Sequence, residues 1–132
     1  MGPLIVLALA LAAPAAETDI VVDGESFGPK LTLTCSWFTN FENSRFDQCS
    51  DGTRKLLPTG ESASIKCAGD SCRKLDAAAR AAAGWNKPET LDGTFTVTLI
   101  GRIGKAPHAK RYIGDGTRTI LLEDVQSVVI AK

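Results

Sequence analysis

His108, in "GKAPHAKRYIGDG", is the only histidine in the 132 residues, so any general base that titrates near neutrality has to be this one. A nucleophile for it would come from Ser26, Ser36, Ser44, Ser62, Ser64, Ser71 or Ser127. None of these is expected at a strand-to-helix nucleophile elbow, and His108 reads as a loop residue bonded to solvent or backbone. Glycoside hydrolysis needs two carboxylates across a bond. Glu42 with Asp47 and Glu123 with Asp124 are the nearest pairs, but neighbours on a strand point to opposite faces, and Glu42 beside Arg45 reads as a local charge pair. One histidine offers no ligand spacing for a metal, and "DGESFG" and "GDGTRT" lack the carboxylate series of a calcium loop. The expectation is a non-catalytic protein with no cofactor and no metal.

Two constellations are left for binding. Arg102, Lys105, His108, Lys110, Arg111 and Arg118 gather around Tyr112 with Asp115 as the one acid among them, which suits an anionic ligand. The same charges also suit a solvated hairpin whose cations discourage edge pairing. The chain as a whole carries 15 basic and 15 acidic residues; that balance exerts no general pull on nucleic acid or anionic membrane. The second constellation is "CSWFTNFENSRFDQC", where Phe38, Phe41, Glu42, Asn43 and Arg45 form a possible partner-contact surface between Cys35 and Cys49.

The elements that would position these groups follow from the pattern. "MGPLIVLALALAAPAAETD" has the apolar run and the Ala13-x-Ala15 end of a secretory signal peptide, without a basic residue before the run. It is shorter than a spanning helix. Residues 1–15 are therefore expected to be removed, leaving 16–132 as one domain, periplasmic or secreted, with no membrane span. Cys35, Cys49, Cys67 and Cys72 are an even set in an exported small domain and predict two disulfides. A hairpin folded about Glu42 sets Cys35 opposite Cys49 and Phe38 opposite Phe46, which leaves Cys67 to Cys72. The rival is a single bulged strand, with Cys35 bridged to Cys67.

"LTLTCSWF" alternates as a half-buried strand, and "SASIKC" is a short one. "DSCRKLDAAARAAAG" is an alanine-rich helix that Asp70 or Ser71 can cap and Gly84 can end, with Leu75, Ala79 and Ala82 on one face beside Ala78. "TFTVTLIGRIG" is the strongest strand, and Gly101 and Gly104 suggest a bulge or bend in it. "RYI" is a short strand candidate, and "RTILLEDVQSVVIAK" supplies further strand. Strands, one helix, then strands fits a mainly β fold, an OB-like five-strand Greek-key barrel with its helix between the third and fourth strands. One helix on a curled antiparallel sheet, an α+β arrangement, fits the same order.

"LTLTCSWF…FENSRF" followed by "LDGTFTVTLIGRIG…PHAKRYIGDGTRTILLEDVQSV" resembles small exported bacterial OB-like proteins over most of the mature chain. Where their loop often reads Gly-His, this one reads Pro107-His108-Ala109. The likeness implies a fold and attaches no catalytic residues to it. The functions expected are binding of an envelope protein or anionic ligand or, as the alternative, inhibition of another exported protein in the manner of an immunity protein. A small hydrolase is the third class.

Overall fold

The computed structural model describes residues 18–110 and 115–131. The expected signal peptide and the "RYI" strand candidate lie outside the described residues. The domain is mainly β with one helix. A two-strand ribbon, β1 (Ile20–Val22) and β2 (Glu25–Phe27), precedes five longer strands: β3 (Leu31–Thr39), β4 (Ser44–Ser50), β5 (Ser62–Cys67), β6 (Gly93–Ile103) and β7 (Arg118–Ile130). The helix α1 (Ser71–Ala83) lies between β5 and β6.

The five strands hydrogen-bond in the order β3-β4-β5-β7-β6, and β6 pairs back onto β3 to close the circuit. Every pairing is antiparallel except β5 with β7. The closure is irregular, because β4 and β5 share only the stretch Arg45↔Ser64 to Asp47↔Ser62. Alternation supplies the core: Leu33, Cys35 and Trp37 from β3 meet Phe95, Val97 and Leu99 from β6, with Ile120 and Leu122 from β7. Thr94, Thr96 and Thr98 take the outer face, as their period-two spacing predicts.

Both predicted disulfides form, Cys35–Cys49 and Cys67–Cys72. The hairpin register differs from a fold centred on Glu42: Trp37, not Phe38, stands opposite Phe46, and Phe38 faces Arg45. The turn is Asn40–Asn43, so its centre lies between Phe41 and Glu42. On that register Cys35 would oppose Gln48. A bulge between Thr34 and Ser36 corrects it by setting two β4 residues, Gln48 and Cys49, against Cys35 alone. Gln48 carries the bulge with φ 52°.

The helix buries Ser71, Leu75 and Ala79. Ala82, expected on the packed face, is exposed, and Ala78 is only half-buried, so the buried stripe is confined to Ser71, Leu75 and Ala79. Asp70 occupies the N-cap without a side-chain capping bond; Ser71 instead donates to the Leu122 carbonyl at 2.9 Å. Gly84 ends the helix at φ 61°, donating to Ala81 while Trp85 donates to Arg80. Burial of Leu75 contributes about 2 kcal/mol, and the short loop closed by Cys67–Cys72 adds a comparable ~2 kcal/mol. The staple, which acts mainly by restricting the unfolded chain, and the one buried leucine thus make comparable contributions around a helix in which six of thirteen residues are alanine.

The ribbon β1–β2 was not expected from composition, although Asp23-Gly24 between two strand-like triplets is the two-residue signal of a tight hairpin. Both residues have positive φ, 50° and 79°. Phe27 is fully buried, its backbone bridges Gly104, and Gly28 donates to Ile103 at 2.9 Å. The ribbon therefore docks at the far end of β6.

The bend expected near Gly101 is present as register shifts between Thr98 and Leu99 and between Ile100 and Gly101. A Cβ on Gly101 would stand 2.6 Å from the Leu121 carbonyl oxygen and 2.9 Å from a Leu99 methyl. Gly101→Ala is accordingly expected to destabilise the domain by about 1–3 kcal/mol through overpacking, read as a lower urea midpoint with an unchanged m-value. An unaltered midpoint would show that β6 and β7 can separate there at no cost.

Candidate functional site

The segment "CSWFTNFENSRFDQC" folds into the β3–β4 hairpin, and its polar block becomes the tip. Asn40 Oδ1 accepts hydrogen bonds from the Glu42 and Asn43 amides at 2.8 and 2.7 Å, and the Asn40 amide donates to the Asn43 carbonyl at 2.8 Å. This small polar side chain does the work of a backbone turn. It holds the loop so that Phe41 is 80% exposed. On the outer face the Arg45 guanidinium lies 4.9 Å from the Phe38 ring centre and 3.4 Å from Asp47. The partner of Arg45 is therefore Asp47 and not Glu42: side chains two apart on a strand share a face, whereas Glu42 sits in the turn.

A polar cleft of about 650 Å³ opens beside this hairpin, between Ser36, Asp47, Gln48 and Ser50 and the loop that closes through Lys55 to Ser62. Leu57, buried in the core, anchors the loop; Leu56 donates to the Cys49 carbonyl at 2.9 Å. Asp51 folds the loop's first turn, with its Oδ1 accepting from the Thr53 hydroxyl (2.7 Å), the Thr53 amide (2.9 Å) and the Arg54 amide (3.0 Å). Two carboxylates line the cleft, and each is already engaged. Asp47 accepts from Ser62 and pairs with Arg45. Glu61 lies 3.4 Å from Arg118 Nε and accepts from the Thr117 hydroxyl at 3.2 Å.

The basic constellation is distributed differently. Arg102 is buried, with Nε donating to Glu123 at 2.9 Å and a terminal nitrogen to the Thr18 and Gly28 carbonyls at 3.0 and 3.3 Å. It ties the ribbon to β7. Arg118 donates to the Gly104 carbonyl at 2.9 Å besides pairing with Glu61. Lys105 is paired with Asp19. Lys110 is exposed, while Arg111 and Tyr112 lie outside the described residues. Burial and pairing thus turn Arg102 and Arg118 inward, to the fold, while Lys105 stays exposed in its pair with Asp19.

A second cleft of about 530 Å³, between the ribbon and residues 106–108, brings Ser26 and His108 together with Asp23 and Glu25. Ser26 also stands in a literal G-x-S-x-G, Gly24 to Gly28. Its setting is a β-strand and not the strand-to-helix turn of a nucleophile elbow. The groups are not wired as a triad: the His108 ring bonds the Thr119 hydroxyl and the Ala109 carbonyl, each at 2.9 Å, and Asp23 pairs with Lys66 at 2.6 Å. Glu123 and Asp124 also part company, the first turning to Arg102 and the second accepting from the Val125 amide at 3.0 Å. No group of three or more His, Cys, Asp or Glu among the described residues is arranged to hold a metal ion. No helix among them is long and apolar enough to cross a membrane.

Sequence reasoning passed over Gln48, Lys55 and Glu61 because a loop and a bulge bring them together. The left-handed residue leaves no mark in the sequence. No protein-family model matches the chain, and neither a curated protein nor a solved structure matches it.

The bonds from Thr53, with help from Arg54, hold the Asp51 carboxyl at about 2, below its ordinary 3.8. A carboxyl depressed in this way favours the folded loop above pH 3.8, and that preference is lost as pH falls toward 2. In an NMR titration of the side-chain carboxyl, Asp51 should show a midpoint near 2. Thr53→Val should move that midpoint upward, and an ordinary wild-type midpoint would disprove the turn.

Proposed function

We propose that this chain is an exported, non-catalytic binding domain of the bacterial envelope, periplasmic or secreted, that engages a partner protein through the tip of the β3–β4 hairpin. Its architecture is OB-like: the strand order, the one parallel pair and the helix between β5 and β6 all support that reading. Two disulfides fit an oxidising compartment. The observation that carries the functional reading is Phe41, 80% exposed on a turn held by three hydrogen bonds. An aromatic side chain presented on a rigid loop loses little entropy on docking, and aromatics supply the energetic centres of interfaces. Phe38 and Arg45 extend this contact along the outer face.

A second reading, in which the contact blocks the partner as an inhibitor or immunity protein does, is favoured by the stapling of the same hairpin through Cys35–Cys49. An anionic ligand at the basic constellation is supported less, since Arg102, Lys105 and Arg118 are paired within the fold.

Pull-down from periplasmic extract tests the tip. The disulfide-bonded protein should capture a defined partner, and Phe41→Ala should weaken capture by about ten-fold or more, as loss of an interface anchor does, with no change in thermal midpoint. Lys105→Ala/Lys110→Ala should capture normally. Equal capture by wild type and Phe41→Ala would remove the tip from consideration.

A further inference from the structure

We propose that the cleft between β4 and the 51–61 loop is a binding site for a polyhydroxylated ligand of the saccharide class, separate from the hairpin tip. Its volume of about 650 Å³ falls in the range of small-molecule sites, roughly 300–1,000 Å³, and holds a short oligosaccharide. The chemistry of its walls selects the class. Ser36, Ser50 and Ser62 donate and accept, as does the Gln48 amide, while the carboxylates of Asp47 and Glu61 accept and Lys55 donates. Such mixed groups match vicinal hydroxyls, each of which is itself donor and acceptor.

Charge argues against a site built for phosphate. Asp47 is balanced by Arg45 and Glu61 by Arg118, which leaves Lys55 as the one cation lining the cleft. The guanidiniums also orient both carboxylates, and each carboxylate has lone-pair capacity beyond the contacts it makes. Pro58 gives the cleft an apolar strip against which the C–H face of a sugar ring can rest.

Gln48 supplies an independent indication. It holds the bulge in the left-handed region at φ 52°, a conformation in which glycine is unstrained. Glutamine retains that strain at a position that lines the cleft. Bulges beside binding sites re-aim a side chain in this way. On this reading the side chain of Gln48 serves the ligand, and the bulge itself needs only backbone.

The test is a ¹⁵N-amide NMR titration of the disulfide-bonded protein with maltotriose, cellobiose and N,N′-diacetylchitobiose, and with glucose 6-phosphate as the anionic probe. At least one neutral saccharide should shift the amides of residues 47–50, 55–57 and 59–62 and saturate in the millimolar range. Gln48→Gly should weaken that binding about ten-fold, the value of one or two lost hydrogen bonds, without lowering the thermal midpoint. Lys55→Ala, an exposed substitution, gives a second loss of affinity should the bulge variant fold poorly. Absence of shifts with every neutral saccharide overturns the site. So do shifts located elsewhere, affinity unaltered in both variants, or tighter, salt-sensitive binding of glucose 6-phosphate. Phe41→Ala should leave the titration unchanged, which separates this site from the partner contact.

Discussion

Phe46 and Cys49 are three residues apart on β4, and both are fully buried. A regular strand forbids this, because side chains an odd number of positions apart point to opposite faces. The extra residue at Gln48 removes the conflict at a cost of about 1 kcal/mol for its left-handed backbone, and much of the molecule rests on that one step. Above the bulge, Trp37 meets Phe46 across the strands and packs on Phe95 with ring centres 5.5 Å apart. Below it, Cys35 and Cys49 come within 4.1 Å at Cα, close enough to bridge. The staple, the aromatic layer and the wall of the polar cleft are thus set by a single inserted residue.

Charge is used in a similar spirit, locally and in pairs. A chain with equal numbers of acids and bases can place its cations on a ligand or on its own carboxylates. Here Arg102 joins the ribbon to β7 through Glu123, Arg118 joins the end of the last loop to Glu61, and Lys66 reaches Asp23 at the ribbon turn. The exposed pairs among these contribute little energy each. Arg102 differs because it is buried, and its guanidinium has both carbonyl and carboxylate partners, as a desolvated cation requires. The result is a domain whose outer surface near the hairpin carries Phe38, Phe41 and serine hydroxyls, while Arg102 and Arg118 are held within the fold.

Much of this fold was legible from periodicity. The alternation of Leu33, Cys35 and Trp37, and of Phe95, Val97 and Leu99, is local and survives any tertiary arrangement that buries one face. Helix α1 was legible from alanine and from Gly84, although its buried stripe stops at Ala79 and Ala82 is exposed. The ribbon carried only the Asp23-Gly24 signal, and three-residue strands are too short to show a period. Of the candidate site residues, Phe38, Phe41 and Arg45 share the hairpin end as their spacing suggested, whereas Arg102 and Arg118 were drawn into the fold by partners distant in sequence.

The sequence by itself determined the features that depend on near neighbours: cysteine parity, the strand and helix periods, and a turn within the polar block between Cys35 and Cys49. Tertiary structure alone decided the register across the hairpin, because one residue in a left-handed conformation shifts it and glutamine gives no warning of that choice. It also decided which charges face a cleft and which are spent inside, since Glu61 meets Arg118 and Asp47 meets Ser62 only when β4, β5 and β7 come side by side. Contacts of that kind join residues whose separation in the chain carries no period, so only closure of the sheet reveals them.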